Sequence, residues 1–257
     1  MRDSRLRLLA HPAVRSAIGR ELERDIEYHD AIGSTQVRAR ALVDAGATRG
    51  IVVADEQRAG EGTHGRAWLA PAGSSLLASW IIRPAPFAPA LFAAVAGVAI
   101  ARALDALGCE GSRLKWPNDV ELEGKKVAGA LAHGTSNGGG GVLVLGIGVN
   151  VHQRASDLAP EIRDIATSLA IARHPVDRLA LLVRITRELD RLERREERAA
   201  AMDEWRSRST LLGRGVRVAL DGRSFEGTAT AIDDEGALLV HTATGVERVV
   251  TGEVRLA

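Results

Sequence analysis

Three patterns of apolar and polar positions succeed one another along the 257-residue chain, and each predicts a different kind of element. Across Gly50–Ala54 and Ser75–Ile82 apolar residues run almost unbroken, as in buried strands. Residues 87–107 form the longest apolar stretch, but Arg102, Asp105 and the abundance of alanine predict a buried helix rather than a membrane span. Short apolar runs at 113–116, 121–122, 127–132 and 141–149, parted by Glu123-Gly124-Lys125 and by 134–140, predict a sheet of adjacent hairpins. Between 161 and 208 leucine and isoleucine return at helical spacing amid dense Arg and Glu, predicting two or three amphipathic helices with solvated outer faces. Beyond Gly213 the pattern becomes short alternating strands at 216–220, 224–232, 237–240 and 247–250, joined by turns such as Asp221-Gly222, which predicts a small barrel-like β-domain.

Two segments complete the layout. Ser34 can cap a helix that runs to Ala45 and is ended by Gly46, which sets Ser34, Thr35 and Gln36 at a helix N-terminus. Residues 1–30 mix arginine, acid and leucine without strand alternation, and are too few for a helix-turn-helix domain of ordinary size. The predicted fold class is therefore α+β: a central mixed sheet with helices over 1–210, and a small SH3-like β-barrel over 211–257.

Composition narrows the partners. Hydrophobic residues are 46% and charged residues 26%, the range of a soluble globular protein. With 34 basic and 33 acidic residues, the net charge of +1 supplies no field to hold a polyanion, so DNA is not expected as a partner. Cys109 is the one cysteine and no leader pattern opens the chain, so a cytoplasmic location is expected. The seven histidines show no metal-ligand spacing, and no metal site is expected.

Candidate chemistry gathers in three places. The loop 57–68 spaces Gly60, Gly62 and Gly65 so that backbone N–H groups can converge on a polar ligand, with Arg58 and Arg66 to add charge; the same spacing also suits a plain surface loop. In Lys115-Trp116-Pro117-Asn118-Asp119 the proline ends a strand, and a lysine at such an exit can neutralise a phosphate and an attacking carboxylate together. Gly146-Ile147-Gly148-Val149-Asn150 ends a strand in small residues but lacks the third glycine of a dinucleotide fingerprint. The glycine-rich 134–141 segment reads as a hairpin turn, because no helix follows it.

Taken in order, Ser34-Thr35-Gln36, the 57–68 loop, Lys115–Asp119, Lys126-Val127-Ala128-Gly129 and 146–150 resemble the motif series of biotin protein ligases. The likeness covers roughly residues 30–257, and the order of the motifs is more specific than any one of them. It implies two half-reactions: biotin's carboxylate attacks the α-phosphate of ATP to give biotinyl-5′-AMP, and a lysine of a biotin carboxyl carrier protein then takes the biotinyl group. ATP and biotin would be substrates, with Mg2+ accompanying ATP. By position, the resemblance implies that Ser34, Thr35, Gln36, Gln57, Gly60, Glu61, Gly62, Thr63 and Gly129 face biotin, and that Lys115 bridges its carboxylate and the α-phosphate as the catalytic residue. Arg66, Trp68, Asn118, Lys126 and Asn150 would face the nucleotide. A DNA-binding domain is not expected, and pairing of two copies through the sheet stays open.

The chain departs from the family where Glu61 and Thr63 stand at positions that are usually basic. At an effective dielectric near 20, a charge pair at 4 Å is worth about 4 kcal/mol, so weaker retention of the adenylate is expected unless Arg58, Arg66 or another basic residue compensates. Two other readings stand beside the ligase: a lipoate or octanoyl transferase of related fold using Cys109 as acyl acceptor, and a biotin-binding sensor that has lost adenylation.

Overall fold

The computed structural model describes residues 5–83, 89–135, 141–220 and 222–257. A 3-10 turn (Arg5–Ala10) and helix α1 (Pro12–Glu21) lead into strand β1 (Asp25–His29). Helix α2 (Thr35–Asp44) then carries the chain across to β2 (Gly50–Ala54), which lies parallel to β1. β1 and α1 are missing from the sequence expectation, which assigned no element to residues 1–30. β1 pairs with β2 alone and stays partly exposed; Ile26 and Tyr28 alternate with polar residues and pack against the main core, an alternation of two positions that is too short to mark a strand by itself.

The loop after β2 folds into a ribbon of two short strands, β3 (Gly60–Glu61) and β4 (Ala67–Trp68). β5 (Ser75–Ile82) follows, then helix α3 (Pro89–Asp105) and strands β6 (Arg113–Lys115), β7 (Asp119–Leu122), β8 (Lys125–Thr135) and β9 (Val142–Asn150). Seven of these strands form a mixed sheet in the order β1-β2-β5-β9-β8-β7-β6. β8 and β9 are antiparallel neighbours, as a hairpin requires; residues 136–140 of the expected turn lie outside the described residues.

One face of the sheet carries the main core. Phe92, Val95, Val98, Ile100 and Leu104 of α3 are buried there with α4 (Arg178–Leu192) and α5 (Arg195–Arg208) packed alongside. Trp80 is fully buried in this layer, and its indole N–H donates to Thr186 Oγ1 at 3.0 Å, so the large side chain is buried without an unpaired donor. Only α4 and α5 form in the 161–208 region, within the expected two or three. Helix α3 accounts for the apolar stretch, and no described helix is long and apolar enough to cross a membrane.

The opposite face is where the strands change character. On β9 the odd positions Leu143, Leu145, Ile147 and Val149 join the main core, which turns Val142, Val144, Gly146 and Gly148 the other way. The two valines pack beneath α2 with Ala39, Val52 and Ile81. The two glycines leave a trough.

The last 43 residues form a separate antiparallel sheet of β10 (Gly215–Leu220), β11 (Arg223–Ile232), β12 (Leu238–Thr242), β13 (Gly245–Val249) and β14 (Glu253–Leu256), in the order β13-β12-β11-β10-β14. The expected barrel is present as this ladder, but β13 and β14 are not hydrogen-bonded to each other, so it is not closed. Trp116 ties the two sheets: its indole N–H donates to Gly236 O at 2.9 Å.

Candidate active site

The glycine trough is the floor of a cavity. Across the central strands Leu77, Gly148 and Gly129 stand in one row, and Ser79, Gly146 and Leu131 in the next. The glycines are required by what lies on them. A β-carbon at Gly148 would sit 2.6 Å from the Trp68 indole, and one at Gly146 would sit 2.9 Å from Gln36 Cδ. Trp68 and the β3–β4 ribbon form one wall, and the N-terminus of α2 forms another.

At that wall, Ser34 caps α2 with its Oγ accepting from the Val37 N–H, and all three of Ser34, Thr35 and Gln36 are buried. Gln57 Oε1 accepts from both the Thr35 N–H at 2.7 Å and Thr35 Oγ1 at 2.8 Å, which ties the glycine loop to the helix. Gln36 Nε2 donates to Leu131 O at 2.8 Å and lies 3.2 Å from His133 Nδ1. Burial holds the His133 imidazole below its ordinary value near 6.5, and Arg40 pushes it the same way. The neutral ring can thus accept the Gln36 amide proton.

Two buried polar atoms on the cavity walls, Gln36 Oε1 and Trp68 Nε1, have no protein partner among the described residues. Buried groups of this kind are normally satisfied, so they offer an acceptor and a donor to a polar ligand.

The cation of the cavity is Lys126. Its Nζ is 2.6 Å from Asp119 Oδ1 and 5.5 Å from the Trp68 ring centroid, and its stem lies over Gly129. Lys115 is placed elsewhere: it is not among the lining residues, and its Nζ is 3.9 Å from Glu121. The strand register explains the difference. Lys115 pairs with Asp119 and Asp119 with Gly129, so Lys115 stands two strands out, roughly 10 Å from the cavity floor at ordinary strand spacing. Burial raises the Glu121 carboxyl above its ordinary value, an effect that Lys115 partly offsets. The pentapeptide instead contributes Asn118, which lines the cavity and donates to Ala130 O at 2.6 Å, and Asp119, which holds Lys126.

Ser34, Thr35, Gln36, Gln57, Glu61, Gly62, Thr63, Trp68, Asn118, Lys126 and Gly129 are brought together around one cavity. Gly60, Arg66 and Asn150 are not on its lining. Gly60 backs Trp68, Arg66 points to Glu253 at 3.6 Å, and Asn150 is engaged by Thr167 O and Gln153 Nε2. The sequence motifs did not point to Leu77 and Ala78 of β5 or to the supporting His133 and Arg40, and they included Asp119 without its role as the partner of Lys126. Cys109 is 1% exposed and burial raises its thiol above the ordinary range, so it is a structural side chain and not a poised nucleophile.

Residues 32–150 match the biotin/lipoate A/B protein ligase family, and residues 211–256 match the biotin protein ligase C-terminal domain. The chain is 31% identical to the biotin–[acetyl-CoA-carboxylase] ligase of Mycobacterium tuberculosis, over 90% of this chain and 88% of the relative. The chain belongs to the biotin protein ligase family. It is also 32% identical to the bifunctional ligase/repressor BirA of Bacillus subtilis, over 89% of this chain and 73% of that protein. The biotin protein ligase of Aquifex aeolicus in complex with biotin and ATP superposes with a TM-score of 0.75 at 29% identity, covering 90% of this chain and 99% of that one. Membership in the ligase family, together with the buried thiol, sets aside the acyl-transferase reading that rested on Cys109.

Proposed function

We propose that this chain activates biotin with ATP as biotinyl-5′-AMP, releasing pyrophosphate, and transfers the biotinyl group to a lysine of a biotin carboxyl carrier protein. The single observation that carries the site reading is Lys126, the cation held by Asp119 between the glycine floor and Trp68. The attacking carboxylate and the α-phosphate are both anionic, so a fixed ammonium between them stabilises the charge that builds as the C–O–P bond forms. We therefore assign to Lys126 the bridging role that the motif order first suggested for Lys115.

The biotin head belongs at the α2 end, where Thr35, Gln36 and Gln57 present polar groups and Leu77 and Leu131 give an apolar lining. The nucleotide belongs on the side of Trp68, Asn118 and Lys126. Magnesium enters with the triphosphate, held mainly by its phosphates. Residues 1–210 act as the catalytic unit and 211–257 as the C-terminal unit, in the cytoplasm where carboxylase carriers and ATP meet.

The test is ATP- and biotin-dependent labelling of a purified biotin carrier domain, run beside biotin-dependent pyrophosphate exchange. Labelling with exchange supports the ligase. Biotin binding with neither activity would replace it with the sensor.

A further inference from the structure

Glu61 stands on the cavity wall where an acid should repel phosphates, yet its charge is already answered. Arg40 of α2 meets it with both guanidinium nitrogens, Nη1 at 3.2 Å from Oε2 and Nη2 at 3.1 Å from Oε1. Such a two-pronged pair fixes orientation as well as charge. Arg40 lies one helical turn beyond Gln36, so one face of α2 carries both the side chain that enters the cavity and the one that grips the loop.

The grip is transmitted. Glu61 pairs with Ala67, and Gly60 with Trp68, in the β3–β4 ladder. The turn between them is closed from within, since the Gly62 N–H donates to Arg66 O at 2.7 Å and the Arg66 N–H to Thr63 O at 3.2 Å. A force on Glu61 therefore moves the ribbon as one body and takes Trp68 with it. The other arm is moored independently, by Arg66 to Glu253 of β14.

We propose that Arg40 is a positioning residue: its ion pair with Glu61 clamps the β3–β4 ribbon to α2 and so sets how long Trp68 and the loop cover a bound acyl-adenylate. The pair neutralises the acid, so retention in this chain depends on a clamp between loop and helix instead of on loop cations. The kinetic part of this inference rests on the ligase reading above.

The experiment follows release of preformed biotinyl-5′-AMP from the full chain. Arg40→Gln and Glu61→Gln should each speed release about two- to fivefold, the effect of losing a half-exposed ion pair. Glu61→Arg, which sets two guanidinium groups face to face, should speed release further, and Arg40→Glu/Glu61→Arg should return it toward the parent rate. Unchanged release in Arg40→Gln, or slower release in Glu61→Arg, would overturn the clamp.

A second readout needs no chemistry. Arg58 and Arg66 are exposed tryptic sites in the loop. Cleavage there should be faster in Arg40→Gln than in the parent, and added salt should accelerate the parent alone, because salt screens exposed pairs. Equal cleavage at all salt concentrations overturns the clamp. A parent that forms no adenylate but shows the cleavage difference overturns the ligase reading and keeps the clamp.

Discussion

Lys126 Nζ and Asp119 Oδ1 lie 2.6 Å apart across the β7–β8 hairpin, with Asp119 paired to Gly129 of the cavity floor. The pair separates two lysines that the sequence alone leaves comparable. Lys126→Ala should lower biotin-dependent pyrophosphate exchange by about 10²–10³, the usual cost of losing one preorganised charge at a reacting centre. Lys115→Ala should cost less than about threefold, and its ion pair with Glu121 contributes at most about 1 kcal/mol of stability at such exposure. Exchange kinetics on the two variants decide this, and a larger loss in Lys115→Ala would return the bridging role to that residue.

The sequence made the motifs legible but not their geometry. Lys115 precedes a proline at a strand exit, and nothing in the chain order shows that β6 is the edge strand, remote from the floor. The pairing of Asp119 with Gly129 decides that, and pairing is a long-range property. Gly146 and Gly148 were visible as small residues near a strand end, yet their role comes from strand parity, which points both glycines away from the core and into the cavity. β1 left only a weak signal, because its alternation of Ile26 and Tyr28 with polar residues spans just the strand Asp25–His29. The Arg40–Glu61 contact joins residues 21 apart through a loop turn that propensity cannot place.

Gly148→Ala tests the trough directly. The new methyl would meet the Trp68 indole at 2.6–2.8 Å, closer than any carbon contact tolerates, so the ring must move. Overpacking of this kind costs about 1–3 kcal/mol. KM for both biotin and ATP should rise at least severalfold, with a blue- or red-shifted Trp emission reporting the displaced ring. Parent-like KM values would show that Trp68 leaves Gly148 before substrate enters.

The pH profile should carry the signature of His133. Its imidazole titrates below the ordinary value near 6.5, mainly from burial, with Arg40 adding to the effect and Glu61 opposing it. The folded state then binds fewer protons than the unfolded state just below pH 6.5. The contribution is fully present above that pH and is lost as pH falls through the depressed folded value. Protonation also removes the Nδ1 acceptor facing Gln36 Nε2 at 3.2 Å. KM for biotin should be flat above pH 6.5 and climb below it, and His133→Asn should flatten the acidic limb. An identical limb in both proteins would assign it to another group.

Asp55 and Arg178 make the remaining test, because they hold the end of β2 from which the Gln57 loop departs. Their side chains are 1% and 0% exposed, with Arg178 Nη1 donating to Asp55 Oδ1 at 2.8 Å and Arg7 bonding Oδ2 at 2.6 Å. Arg178 also donates to Ser75 O, joining β2, β5 and the start of α4 at one point. A buried pair adds little over an apolar replacement of both partners, but removing one partner strands the other charge at about 3–5 kcal/mol. Arg178→Met should therefore lower Tm by roughly 6–20 °C for a chain of this size. Asp55→Asn/Arg178→Met should recover part of that loss, since the stranded carboxylate is gone. Gln57 sits two residues beyond Asp55 and accepts both Thr35 bonds, so KM for biotin should rise in the single variant measured well below its Tm, with kcat less affected. A parent-like Tm in Arg178→Met would mean that Arg7 alone satisfies Asp55, and that the loop is anchored from the N-terminal segment instead of from α4.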